Sequence, residues 1–400
     1  MNKIGVLLVE SLPLPPVKGG AVENLVQLII ENNEQHQDFE ICVFSNYDAK
    51  ADEISRTFKY TSYKYFKPNG FWIVLDILLK VIRKLLRIFF QINTPSLYEI
   101  KAYNYFKKQN IKILVLENCP LYALYQNRKN DFYLIQHLHN DYLNTPSKQN
   151  DKIFNHTQRI FAVSNFIKTR LEPIVPKGIP IDVCYNGLNL KPFFTPINDN
   201  IKNQLLTKYN ILETDRVITF TGRLVNNKGV KELMLAFEMF AHKYEDIKLL
   251  IIGGLSFSNN GKDYYSIELD KISQRLGDKV ILTGYIDYKE IADYLKLSTL
   301  VVVPSICYES FSLSTLEAIA SGIPVVVSDA GGILEVIDKQ SGIVVKRGDN
   351  FVTELSYVIE NLISNQSMLR GMSVAATERS KLFTDSIMYN RFVELMKLIK

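Results

Sequence analysis

Short hydrophobic runs recur along the chain, each followed by a loop and then by a stretch of helical periodicity. Residues 3–9 (KIGVLLV), 41–45, 111–116 (IKILVL), 132–136 and 160–163 read as buried strands in the first half. VITFTG, IKLLIIGG, VILTG and the run 299–303 repeat the rhythm in the second half. Unbroken apolar runs alternating with helices are the signature of a parallel sheet covered on both faces. Residues 191–200 (KPFFTPINDN), with two prolines, interrupt the alternation. The pattern therefore predicts an α/β protein of two Rossmann-like, doubly wound domains, 1–190 and 215–384, with a linker at 191–214. A last helix over 385–400 has no strand after it and is expected to pack back on the first domain. The tyrosine- and lysine-rich segment from 46 to 70 reads as irregular.

Residues 71–92 (FWIVLDILLKVIRKLLRIFFQI) follow a different pattern. Asp76, Lys80, Arg83, Lys84, Arg87 and Gln91 fall in one stripe of about 100° at 100° per residue, and all other positions are apolar. Charges in the middle of the run argue against a membrane-spanning helix. The stripe suits an amphipathic helix lying in an anionic bilayer surface, with Lys80, Arg83, Lys84 and Arg87 towards headgroups and Trp72 among the apolar contacts. It also suits a core helix with one wet edge.

Chemistry concentrates at strand ends, where doubly wound sheets bind ligands. The densest stretch is 304–335 (PSICYESFSLSTLEAIASGIPVVVSDAGGILE): strand end, loop, a helix from about 312 to 321, then a second strand. A helix start offers free N–H groups and a positive dipole end to a phosphate. Glu317 fits a capping box with Ser314 at the N-cap and equally fits a hydroxyl contact. Glu309, in the loop, has no such local role. Two carboxylates for sugar or ribose hydroxyls, with a helix N-terminus for phosphate, describe a sugar nucleotide. Arg223 and Lys228 flank another strand end and form a candidate pyrophosphate clamp. Gly19-Gly20 opens the first helix, either as a phosphate approach or as an ordinary turn. His137 and His139 follow a strand; two apart, they are expected to diverge, which makes a metal pair improbable.

Composition narrows the classes. Four hundred residues, 47% apolar and 22% charged, suit two globular cores. A net charge of +5 without a recognisable module gives no support for nucleic-acid binding. Cys42, Cys119, Cys184 and Cys307 are scattered, which points to a reducing compartment and away from structural zinc. The first residues lack a signal-peptide shape.

Together these residues resemble a family 4 retaining glycosyltransferase of the GT-B fold, of the bacterial capsule or exopolysaccharide type. GRLVNNKG is similar to the family's Gly-Arg-Leu…Lys-Gly element, and Glu309…Glu317 with Gly322-x-Pro324 and Gly331-Gly332 to its E-x7-E signature. GGAVENL, His139-Asn140 and VSNFIKTRL match more loosely but in register, so the resemblance covers nearly the whole chain. It implies two domains facing a cleft, the first binding acceptor and the second binding donor. Arg223 and Lys228 would hold the donor pyrophosphate, Glu317 the ribose, and Glu309 the donor sugar, with N–H groups around Ser310, Phe311, Ser312 and Leu313 on phosphate and sugar. Gly19 and Gly20 would close over the diphosphate, His139 would touch the transferred sugar, and Tyr285 and Ile286 would hold the base. Ser312 stands where the family usually has glycine, and Asn140 where it often has aspartate.

The resemblance also implies a UDP-, GDP- or dTDP-linked donor, front-face retention and domain closure. No DxD-type motif stands at a candidate site, so metal independence and the absence of a cofactor are expected. With the basic helix, the expectation is a peripheral enzyme at the cytoplasmic face of the membrane, acting on a polyprenyl-diphosphate-linked saccharide. The rival is a non-catalytic GT-B subunit binding a glycan or a partner enzyme.

Overall fold

The computed structural model describes residues 2–70, 74, 77–83, 85, 94–127, 129–254 and 264–399. Two compact units result: Met1–Asn186 with Asp385–Lys400, and Gly187–Thr384.

The first unit is built on β1 (Asn2–Leu7), β2 (Phe39–Asn46), β3 (Thr61–Phe66), β4 (Ile113–Glu117), β5 (Tyr133–Leu138), β6 (Arg159–Ala162) and β7 (Ile181–Val183). Their order in the sheet is β3-β2-β1-β4-β5-β6-β7, all parallel. Ile4 lies opposite both Ile41 and Ile113, and the central strands are buried along their length. Strand order reverses between β1 and β4, which sets a switch point where α/β sheets bind ligands.

The second unit holds β8 (Arg216–Thr221), β9 (Ile247–Ile252), β10 (Val280–Gly284), β11 (Leu300–Val303), β12 (Val325–Ser328) and β13 (Gly342–Val345). The sheet runs β10-β9-β8-β11-β12-β13, with its switch point between β8 and β11. Phe220, Phe237 and Phe240 fill the core on one face with Leu249 and Ile251.

Three segments differ from the pattern-based expectation. The segment 46–70 is not irregular: it forms the helix Ala49–Ser55, capped by Asp48, and the edge strand β3. TSYKYF exposes alternate residues because an edge strand is only half covered, so it lacks the continuous apolar run of its neighbours. β7 is likewise a short, partly exposed edge strand. Residues 191–214 contain the helix Asp199–Tyr209, capped by Asn198, and belong to the second unit.

The helix Asp385–Lys397 lies in the first unit and packs against α1 (Ala21–His36). The Tyr389 hydroxyl bonds Asp38 at 2.9 Å, and the Phe392 ring meets Phe39 and Phe161 edge-on. Among the described residues no helix is long and apolar enough to cross a membrane.

Candidate functional site

The loops after β8 and β11 leave the switch point of the second sheet together. After β8 the chain forms a single turn, Asn226–Lys228, and then Gly229. Gly229 has φ 71°, and a Cβ there would come within 1.9 Å of the Pro304 carbonyl oxygen, so only glycine permits this approach. The Asn227 carbonyl accepts the Ile306 N–H at 3.0 Å and joins the two loops. Lys228 Nζ consequently donates to Glu309 Oε1 at 2.6 Å, and Ser305 Oγ donates to the same oxygen at 2.5 Å.

Glu309 is also fixed through its backbone, its N–H on Ala330 O and its carbonyl accepting the Gly332 N–H. Arg347 braces the loop from the other side, donating to Asp329 Oδ1 and to the Ile306 carbonyl while lying over the Tyr308 ring. Ser305 belongs to the signature stretch that begins at Pro304, whereas Arg347 is a support that no motif marked. Arg223 is exposed on the same loop as Lys228.

The helix predicted from about 312 starts at Leu313 and ends at Ala320. Its N-cap is Ser312, not Ser314. Ser312 adopts φ 86°, and its hydroxyl caps the Thr315 N–H at 3.4 Å while touching the Thr315 hydroxyl at 2.8 Å. The capping-box alternative for Glu317 therefore fails, since Ser314 lies inside the helix. Glu317 is instead buried, its carboxyl bonded to the Tyr288 hydroxyl, and burial pushes it up to about 8. Tyr288 was not singled out by any sequence signal. Phe311 is a core residue, its ring edge-on to Phe383. Ser310 and Leu313 flank it at the helix start. Tyr285 and Ile286 follow β10, with Tyr285 half exposed.

In the first unit, Gly19-Gly20 leads from β1 into α1. Gly20 has φ 108°, and a Cβ there would meet Glu23 Oε2 at 2.1 Å, so the helix's own acid lies against its start. Glu23 is buried and its carboxyl is raised by that burial.

His137 and His139 do not diverge. Positions i and i+2 of a strand share a face, and both rings converge on Glu117 at the end of β4. His137 Nδ1 lies 2.9 Å and His139 Nε2 3.0 Å from Glu117 Oε2, with ring centroids 4.3 Å apart. Their ligand atoms lie within 4.8 Å of one another, the metal-capable spacing that the expected divergence made improbable. Glu117 is drawn down to about 2 by its two histidine partners against the effect of burial, and His137 is held up at about 10 by that carboxylate. Burial lowers His139, and the charge on His137 lowers it further.

Of the amphipathic segment, Trp72, Lys84 and Arg87 lie outside the described residues. Lys80 pairs with Glu10 at 3.0 Å, while Arg83 donates to the Thr94 carbonyl at 2.8 Å and contacts Glu99. Ile77, Leu78, Val81 and Leu85 are exposed. The two described cations thus pair within the unit, Lys80 remaining half exposed, while these apolar side chains are exposed as well. The exposure of these apolar residues does not fit a core helix with one wet edge.

Two parallel sheets with loops of this kind at their switch points have close counterparts. HepE from Anabaena, in complex with UDP-glucose, superposes with a TM-score of 0.75 at 18% identity, covering 99% of this chain and 100% of that one. The fold is GT-B. Residues 202–379 match the family described as glycosyl transferases group 1. A lipopolysaccharide 1,2-N-acetylglucosaminetransferase of Salmonella typhimurium is 26% identical over 231 residues, 57% of this chain and 58% of that protein. The putative glycosyltransferase YtcC of Bacillus subtilis is 22% identical over 391 residues, covering 96% and 88%. The similarity to group 1 glycosyl transferases thus spans residues 202–379, the region that holds the paired Lys228 and Glu309.

Proposed function

We propose that the protein is a retaining hexosyltransferase that moves a sugar from a nucleotide diphosphate to a lipid-linked saccharide at the cytoplasmic face of the membrane. Capsule, exopolysaccharide or wall polymer synthesis is the setting. The observation that carries the reading is the Lys228–Glu309 pair at the second switch point. An ammonium has three N–H donors. One is engaged by Glu309, and the others suit diphosphate oxygens as the anomeric C–O bond breaks. Both bonds to Glu309 fall on Oε1, which leaves Oε2 for a hydroxyl of the donor sugar. Arg223 adds a second cation, the start of the helix Leu313–Ala320 takes phosphate oxygens, Glu317 meets the ribose and Tyr285 with Ile286 the base. Attack occurs from the front face, the leaving phosphate takes the acceptor proton, and no metal is required.

Two features of the first unit support a lipid-linked acceptor. A cavity of 440 Å³ at the ends of β2 and β3 is lined by Lys64, Lys67, Lys101 and Lys108 with Tyr65 and Tyr105, and no carboxylate lines it. That chemistry suits the phosphate of an acceptor. The exposed apolar arc at 77–85 suits a bilayer boundary.

A thermal-shift screen against UDP-, GDP- and dTDP-sugars tests the donor, because a ligand at a hundred times its Kd stabilises by about 2.7 kcal/mol. Transfer onto a polyprenyl-diphosphate-linked saccharide, undiminished by a chelator, is the expected second result. A donor that binds but is never transferred would favour the non-catalytic subunit. The absence of any shift across the panel would end the donor reading.

A further inference from the structure

The Glu117–His137–His139 cluster is a deeply buried ionisable cluster of the first unit, set apart from the Lys228–Glu309 pair. All three side chains are at most 4% exposed. Glu117 is the last residue of β4, at the edge of the switch point, and His139 follows the last residue of β5. The His139 backbone N–H bonds Asn118 Oδ1 at 3.2 Å, which holds the residue from its main chain. Its Nε2 is spent on Glu117. Its Nδ1 is buried and has no hydrogen-bond partner among the described residues. A buried acceptor left unsatisfied costs about 1–3 kcal/mol, so its missing donor calls for an explanation.

We propose that Glu117 is a positioning residue: by accepting from Nε2 it fixes His139 as the Nε2–H tautomer and reserves Nδ1 as the acceptor for a hydroxyl of the bound sugar substrate. His137 supplies the counter-charge that lets a carboxylate stay ionised at this depth. The inference rests on the transferase reading above together with the resemblance, which implies that His139 touches the transferred sugar. The electrostatics agree with the geometry. The carboxylate is held low and His137 high, so the pair is ionic, while burial and the neighbouring cation keep His139 neutral. A neutral imidazole with one proton already committed has one lone pair to offer. The other titratable groups facing the cluster are Glu23 on α1, its carboxyl raised by burial and by Glu117, and the buried thiols of Cys119 and Cys184. None of them supplies a donor to His139.

The test is ¹⁵N-histidine NMR on the full chain, whose five histidines allow assignment by single substitutions. At pH 7, His139 is expected to be neutral and protonated on Nε2, with His137 doubly protonated. Adding the nucleotide sugar that gives the largest thermal shift should move the His139 Nδ1 resonance. In E117Q the tautomers should mix and kcat should fall about ten- to a hundredfold with KM little changed, the scale on which losing an outer hydrogen-bond partner acts. E117D should recover part of both.

A wild-type His139 protonated on Nδ1, or on both nitrogens, overturns the proposal without any variant. So does an E117Q protein with unchanged tautomer and unchanged kcat. Stoichiometric metal in the purified protein, lost in H137F, would also overturn it in favour of a cation held by the three side chains. Should the tautomer be as stated while no sugar nucleotide binds, the lock stands and the transferase reading is what fails.

Discussion

Single side chains decide most of the chemistry through what they touch. Lys228 is both a phosphate candidate and the partner that holds Glu309 in place. K228A should therefore lower kcat/KM by about 10²- to 10³-fold, as loss of one fixed charge-stabilising donor does, and steady-state kinetics with the identified donor checks this. Glu317 carries a pH dependence with a definite sign. Its folded pKa, about 8, lies above the usual carboxyl value, so between pH 4.5 and 8 the folded chain holds a proton that the unfolded chain has lost. Stability must then fall as pH rises through that window. E317Q removes this contribution. Urea unfolding should find the variant more stable than the wild type at pH 7, by on the order of 3 kcal/mol, with the difference vanishing towards pH 4.5. Equal pH slopes in the two proteins would contradict the burial of an uncharged Glu317.

Elements show how one sequence feature carries two functions. Ser312 starts the helix Leu313–Ala320 from a left-handed conformation that glycine adopts at no steric cost, but its hydroxyl is the cap. S312G trades conformational relief against a lost cap, each worth a few tenths of a kcal/mol to about 1 kcal/mol. The melting temperature should thus change little, while the relative turnover of different donor sugars shifts. At residues 77–85 the apolar side chains of Ile77, Leu78, Val81 and Leu85 are exposed, while Lys80 and Arg83 are paired. I77E/V81E should abolish sedimentation with anionic vesicles, whereas K80A/R83A should leave most of it, because those cations pair with Glu10 and within the unit. The opposite ranking would return the cations to the headgroups.

At the scale of the molecule, each unit has its own sheet and core, and the last helix belongs to the first unit in spite of its place in the chain. Phe392 is fully buried against Phe39 and Phe161. F392A should cost about 3–5 kcal/mol, lowering the melting of the first unit. A loss spread equally over both units would mean that the helix is not part of the first core alone.

The alternation of apolar runs and helices was enough to reveal two doubly wound sheets, because a parallel strand buried on both faces must be apolar along its whole length. Edge strands β3 and β7 escaped that signal, being only half covered. The strand-end motifs also located Lys228, Glu309 and Glu317, since glycine, charge and helix start recur at fixed spacing there. What the residues at those positions bond to was decided only in three dimensions. The Lys228–Glu309 pair spans 81 residues of sequence, Arg83 finds Thr94 and Glu99 across a segment of another pattern, and Glu117 gathers two histidines from the neighbouring strand. Periodicity records whether a position is buried. The partner of a buried charge depends on which strand lies beside it and in what register, and only the folded sheets determine that.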